Sequence, residues 1–199
     1  MVESEDPVFS AAPPERIDLP DGAALVRVRP EHAAAATVAI NESLDHLAPW
    51  MAWAVTPVEE AERAVFFATT EELWNARRDF TYLIVASGGS IIGGCGLHGR
   101  QGADALDIGY WVHVEHIGRG LATTVSRALT DAAFEIAGVE RVRIQCEESN
   151  VRSARVPAKL GYVLHGVDVP ESGTCAGRST QDWQMPRERW MSLAARRSS

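Results

Sequence analysis

Ala105-Leu-Asp-Ile-Gly-Tyr-Trp-Val-His-Val-Glu-His-Ile-Gly-Arg-Gly-Leu-Ala-Thr123 is the stretch from which the rest of the chain can be read. Ile108, Tyr110, Val112 and Val114 recur at the period of a β-strand, and Trp111 makes the other face apolar too. Gly118-Arg119-Gly120 follows, and from Leu121 the apolar period becomes that of a helix. A strand feeding a glycine turn at a helix start predicts an anion site. The first N–H groups of the helix lack intrahelical partners, and the macrodipole adds partial positive charge. Glycine lets the backbone approach an anion that a Cβ would hold off.

Working outward, Leu121, Val125, Leu129, Ala132 and Ile136 mark one helix face, with Gly138 as the stop signal. Arg141–Cys146 alternates as a half-buried strand. Ser149–Leu160 reads as a helix broken or kinked near Pro157. Gly161–Gly166 and Thr180–Met185 read as strands around a loop at 168–179. On the other side, Phe80–Ala86 and Ile91–Leu97 flank Ser87-Gly-Gly-Ser90 as a hairpin. With the organising strand they make an antiparallel meander over 80–114. Ala23–Arg29 is a first strand, Glu31–Asn41 an alanine-rich helix, and Ser43 a cap for a short helix before the Pro49 bend. Thr56-Pro57-Val58-Glu59 predicts a helix start with a capping box, and Val58, Ala61, Val65 and Ala68 repeat at helical spacing toward an end near Arg77. The expected division is an extended, partly disordered lead at 1–22, one domain at 23–190, and a C-terminal tail at 191–199. Antiparallel strands first and a β-α-β crossover later predict a single α/β domain. Its sheet is mixed and mostly antiparallel, with helices on both faces.

The bulk numbers narrow the function. The chain has 199 residues, 46% of them hydrophobic, which suits one domain with a real core. No run approaches the roughly 20 apolar residues that span a bilayer. The acidic start Met1-Val-Glu-Ser-Glu-Asp6 lacks the pattern of a secretory signal. Cys95, Cys146 and Cys175 form an odd set without CxxC spacing, which points to thiols in a reducing, cytoplasmic setting. Net charge is −8 with dispersed basic residues, a poor match to nucleic acid but compatible with steering a cationic amine. His113 and His116 lack further ligands at matching spacing, so no metal is expected.

At Ile108-Gly-Tyr-Trp-Val-His113 and Gly118-Arg-Gly-Leu-Ala-Thr123 the chain resembles the GNAT superfamily of acyl-CoA N-acetyltransferases. The closest likeness is to the RimJ/RimL branch of ribosomal-protein N-acetyltransferases. Asn150-Val-Arg-Ser-Ala-Arg-Val-Pro-Ala-Lys-Leu-Gly-Tyr162 is similar to a second block of that branch, and Leu47-Ala-Pro-Trp50-Met-Ala-Trp53 to a tryptophan segment. The chain departs from the family pattern at Ile117, where Gln or Arg is usual, at Ala158 in place of Glu, and at Pro157 within the helix.

The resemblance implies acetyl-CoA as co-substrate. Pantetheine would run along the main chain of Trp111, Val112, His113 and Val114. The diphosphate would lie over Ile117, Gly118, Arg119, Gly120, Leu121 and Ala122, with the Thr123 hydroxyl beside it, and Asn150 and Ser153 would meet the CoA arm. A tight strand-to-helix turn is the plain alternative for the glycines, and a helix cap for Asn150. Ser153 and Tyr162 are the expected hydroxyls to protonate the departing thiolate, against a packing role for Tyr162. Asp107 is the expected general base and Glu148 the second choice, each also readable as a surface acid. A backbone N–H near Val112 would meet the oxyanion. Trp50 and Trp53 would line the acceptor pocket, or else simply pack.

These expectations amount to an N-acetyltransferase that moves acetyl to a primary amine by direct attack in a ternary complex. The amine would belong to a protein N-terminus or a small or aminoacyl molecule, and the enzyme would be a monomer or homodimer without nucleic-acid or membrane partners. The rival reading is a non-catalytic acyl-CoA-binding or sensing module, motivated by Ile117 and Ala158.

Overall fold

The computed structural model describes residues 7–171 and 176–197. Its sheet has eight strands: β1 (Arg16–Asp18), β2 (Ala24–Arg27), β3 (Asp79–Val85), β4 (Ile91–His98), β5 (Ala105–Val112), β6 (Arg141–Glu147), β7 (Val163–Asp168) and β8 (Thr180–Pro186). The spatial order is β1-β2-β3-β4-β5-β6-β8-β7. Every pairing is antiparallel except β5 with β6. The helices are α1 (Ala33–Asn41), α2 (Leu44–Leu47), α3 (Glu60–Asn75), α4 (Leu121–Glu135), α5 (Val151–Leu160) and α6 (Arg187–Arg197). The predicted meander and the βαβ crossover through α4 are both present.

The alternation of β5 explains the layers. Leu106, Ile108 and Val112 join Leu121, Val125 and Leu129 of α4 in the main core. The opposite face meets α1 and α3 through a smaller cluster of Val28, Ala33, Ala36, Phe67 and Leu83. Helices therefore cover both faces, as the order of elements predicts.

Several local expectations are corrected. The capping box at Thr56–Glu59 does not form, and α3 begins at Glu60. The Asn41 side chain engages both the N–H and the C=O of Val58, and Glu59 keeps an extended backbone. The buried face of α3 is Phe67, Thr70 and Trp74, while Val65 and Ala68 are exposed. Aromatic side chains bury more apolar area than valine or alanine, and they set the orientation of the helix. Ser43 precedes α2 without capping it; its hydroxyl donates to the Ala39 carbonyl instead. The organising strand stops at Val112, two residues early, because the His113 ring accepts the Glu115 N–H and starts a short 3-10 turn.

At the ends of the chain, the stretch read as an extended lead contributes β1 and buries Phe9 and Leu19. The Tyr82 hydroxyl donates to the Pro14 carbonyl. The stretch read as a tail is helical through Arg197, and its buried Trp190 donates to Asp131. Pro157 sits inside α5, which runs as one helix from Val151 to Leu160. Among the described residues, no helix is long and apolar enough to cross a membrane.

Candidate active site

The parallel pairing of β5 and β6 lasts only from Ala105/Arg141 to Ile108/Ile144. Beyond that point β6 continues to Glu147 against β8, and β5 continues to Val112 against β4. The two strands part, leaving Gly109–Val112 facing a gap. The His113 N–H donates to the Ile92 carbonyl on the β4 side. The alternation of an antiparallel ladder then turns the main-chain groups of Trp111 toward β4, and those of Tyr110 and Val112 toward the gap. The Val114 N–H is taken by the Ser43 hydroxyl, and the His113 ring meets Glu42 at 3.0 Å. Of the four residues expected along pantetheine, Val112 therefore presents its backbone to the opening.

The glycine turn lies just beyond. Gly118 and Gly120 have φ of +75° and +83°, and nothing lies within 4 Å of where a Cβ would sit on either. Gly120 is the N-cap of α4, and its carbonyl accepts from Thr123 and Thr124. The first N–H groups of α4, at Leu121 and Ala122, are left without intrahelical partners. Arg119 is exposed beside them, whereas Ile117 packs against the main core. The open, positively polarised cradle fits a diphosphate, so the site can hold a CoA-type ligand on backbone donors with Arg119 as the adjacent charge.

A cavity of about 900 Å³ opens into the gap. Its walls include Trp50 and Trp53, Asp107, Gly109–Trp111 of β5, Gln145–Glu147 of β6, and Asn150 and Ser153 of α5. Gly94 and Gly96 of β4 and Gly109 of β5 share one face of the sheet through the pairs Gly94/Trp111 and Gly96/Gly109. A Cβ at Gly94 would collide with the Trp111 indole nitrogen, and one at Gly96 or Gly109 would press on the His98 ring. The glycines thus let two flat rings lie against the sheet.

Asp107 is almost fully buried, and neither carboxylate oxygen has a hydrogen-bond partner among the described residues. Arg143 approaches it at 3.5 Å and is itself bonded to Asp182 at 3.0 Å. Burial raises the Asp107 pKa, and the Arg143, Arg100 and His98 charges oppose that shift. His98 also lines the cavity, opposite Asp107 in the β4–β5 register, with Nδ1 held by Asp79 at 2.7 Å. The sequence reading missed His98. Its signal was its place two residues after Gly96, on the glycine face of β4.

At the start of α5 the Asn150 side chain accepts the Ser153 N–H, the helix-cap role that was its plain alternative. The phenol that reaches Ser153 is Tyr110, 2.8 Å from its Oγ. Pro157 helps to explain this contact. Lacking an N–H, it cannot bond the carbonyl one turn earlier, and that carbonyl, on Ser153, receives the Tyr110 hydroxyl at 3.4 Å. Burial pushes the Tyr110 phenol up in pKa, against the Ser153 hydrogen bond, and keeps it protonated. Tyr162 is elsewhere: buried in the core, its hydroxyl is 2.7 Å from Thr130 and it is not on the cavity wall. The structure places it in the packing role. Glu148 is exposed and accepts from the Ser179 hydroxyl, also off the cavity wall. Among the described residues no cluster suits a metal. Cys95 and Cys146 are buried thiols, and Cys175 lies outside the described residues.

Residues 24–163 match the family model described as an acetyltransferase (GNAT) domain. A Bacillus subtilis (strain 168) protein named as a ribosomal N-acetyltransferase, YdaF, is 34% identical over 79 residues, covering 39% of this chain and 43% of that protein. The match thus spans less than half the length of that relative. The microcin C7 self-immunity acetyltransferase MccE, solved with acetyl-CoA and AMP, superposes with a TM-score of 0.78 at 18% identity, over 88% of this chain and 98% of its own. RimL, a ribosomal L7/L12 α-N-protein acetyltransferase solved with coenzyme A, gives 0.78 at 18% identity, over 88% and 99%. At these identities the likeness to the solved structures establishes the fold.

Proposed function

The chain belongs to the GNAT acetyltransferase family, and on that footing we propose that it moves the acetyl group of acetyl-CoA to a primary amine by direct attack in a ternary complex. The observation that carries this reading is the parting of β5 from β6. It frees the Val112 main chain on the side away from β4, beside a cavity walled by Asp107 and Tyr110, and β5 leads on within a few residues to the open Gly118–Gly120 turn.

In this reading pantetheine lies along Val112 and the diphosphate over the start of α4. The Val112 N–H meets the carbonyl oxygen as charge develops there. Asp107, on the cavity wall with no hydrogen-bond donor to its oxygens among the described residues, receives a proton from the acceptor ammonium, with His98 held by Asp79 beside it. The neutral nitrogen then forms its bond to the acyl carbon as the carbon–sulfur bond breaks. The nitrogen sheds its second proton to solvent as the amide forms, and the departing thiolate takes a proton from Tyr110, whose phenol is resupplied from solvent through Ser153. The products are the N-acetyl amine and CoA thiol. An α-amine, with a pKa near 8, is far easier to ready for attack than a lysine near 10.4. We therefore favour a protein N-terminus or a small α-amine as acceptor, met between Trp50, Trp53 and Asp107, in the cytoplasm.

The test is release of CoA thiol from acetyl-CoA across a panel of peptide and small-molecule α-amines. Turnover with at least one class is expected. Binding of acetyl-CoA without turnover across the panel would instead favour a sensing module.

A further inference from the structure

Arg63 of α3 lines the same cavity as Asp107. Its guanidinium lies over the rings of Trp53, Phe66 and Phe67, at 5.6, 5.2 and 5.7 Å from their centroids. Its Nε is buried and has no hydrogen-bond partner among the described residues. Burial works against its charge, and Glu62, its chain neighbour, is the carboxylate that supports it. Trp53 and Phe66 remain 40% and 49% exposed beside it. Large aromatic faces left open around a desolvated cation at a cavity wall are costly unless something covers them. A guanidinium fork stacked on aromatic rings matches a planar carboxylate in shape and charge.

We propose that Arg63, with Trp53 and Phe66, forms an acceptor subsite for a carboxylate, so that the amine to be acetylated enters as part of a zwitterion, with its nitrogen toward Asp107 and its carboxylate toward Arg63. This rests on the acetyl-transfer reading of the cavity. Arg100 also lines the cavity, but its charge acts on Asp107 at the amine end, which leaves the Arg63 guanidinium as the place to meet an anionic group. The carboxylate has two sources: the C-terminus of a small acceptor, or an acidic side chain near a peptide's N-terminus.

Two matched pairs of probes separate these sources. Glycylglycine and glycylglycinamide differ by a terminal carboxylate; alanyl-aspartyl amide and alanyl-asparaginyl amide differ by a side-chain one. The carboxylate member of one pair is expected to show kcat/KM about tenfold or more above its neutral partner, and the discriminating pair names the source. Arg63→Met, which keeps an apolar stem against the rings, should bring the ratio near unity with the KM for acetyl-CoA unchanged. Arg63→Lys should keep part of the preference, and it also guards against a folding defect in the first variant. Equal use of both members of both pairs, or a preference that survives in Arg63→Met, overturns the subsite and leaves acetyl transfer standing. If no probe is acetylated, the transfer reading is decided by the broader amine panel, and calorimetric titration with the N-acetylated forms of the same probes decides the subsite. Carboxylate-selective binding that Arg63→Met abolishes upholds it, and binding without selectivity overturns it.

Discussion

The Tyr110 hydroxyl stands 2.8 Å from Ser153 Oγ, joining the strand that faces the gap to the helix that closes it. Burial keeps that phenol protonated at neutral pH, as a proton donor to a thiolate must be. Tyr110→Phe is expected to lower kcat by about a hundredfold or more while the Kd for acetyl-CoA changes little. Stopped-flow thiol release and calorimetry measure the two. An unchanged kcat would remove Tyr110 from the chemistry.

Asp107 gives a pH signature. Its carboxyl is raised in pKa by burial, and it must be ionised to accept a proton. The rate should therefore climb with pH through a value above the ordinary carboxylate range, and Asp107→Asn should remove that limb. The stability effect has a definite sign. A carboxyl with a folded pKa above its unfolded one binds its proton more tightly when folded, so stability falls as pH rises from the unfolded value through the folded one. The Tm of Asp107→Asn relative to wild type should accordingly increase with pH across that window, in parallel thermal melts.

The glycine cradle separates ligand binding from folding. A non-glycine residue at φ +83° costs about 1–2 kcal/mol, and no atom opposes a side chain at Gly120. Gly120→Trp should fold with a modestly lower Tm and bind acetyl-CoA at least tenfold more weakly, the indole occupying the diphosphate's place. Unaltered affinity by calorimetry would show that the diphosphate lies elsewhere.

At Gly94 the expectation reverses, because the added atom meets a ring. Gly94→Ala must displace the Trp111 indole, at a cost of about 1–3 kcal/mol. Its Tm should fall and the KM for the acceptor should rise more than that for acetyl-CoA. Initial rates with each substrate varied in turn would reveal a different split.

Strands and helices were legible where one period dominated. The buried row Leu121, Val125, Leu129 and Ala132 of α4, with Ile136 just past its end, and the alternation of β6 follow directly from burial on one face. The faults arose where a distant contact outweighed a local signal. The Thr56-Pro57 start is a sound local pattern, but the Asn41 side chain holds Val58 out of the helix. The glycine turn was readable because glycine at positive φ is a backbone requirement. The surroundings of Asp107 were not, since Arg143, and Asp182 bonded to it, come from strands that only the sheet order brings alongside. Tyr162 and Tyr110 are alike in sequence. Only the fold puts one beside Thr130 in the core and the other on the cavity wall.

The parting of β5 from β6 also bears on the solubility of the protein. Gly109-Tyr-Trp-Val112 is an apolar strand edge with unpaired main-chain groups, the kind of edge that invites another chain to add itself when it lies at the rim of a sheet. Here it lies in the middle of the sheet, flanked by β4 on one side and by β6 across the gap, with α5 over its hydroxyl. A neighbouring molecule does not meet this edge at the rim of the sheet, because β6, β8 and β7 lie beyond it, whereas a ligand in the cavity does. The molecule thus carries a strand edge open to a ligand but guarded from aggregation, without the lysines, prolines or bulges that exposed edges need.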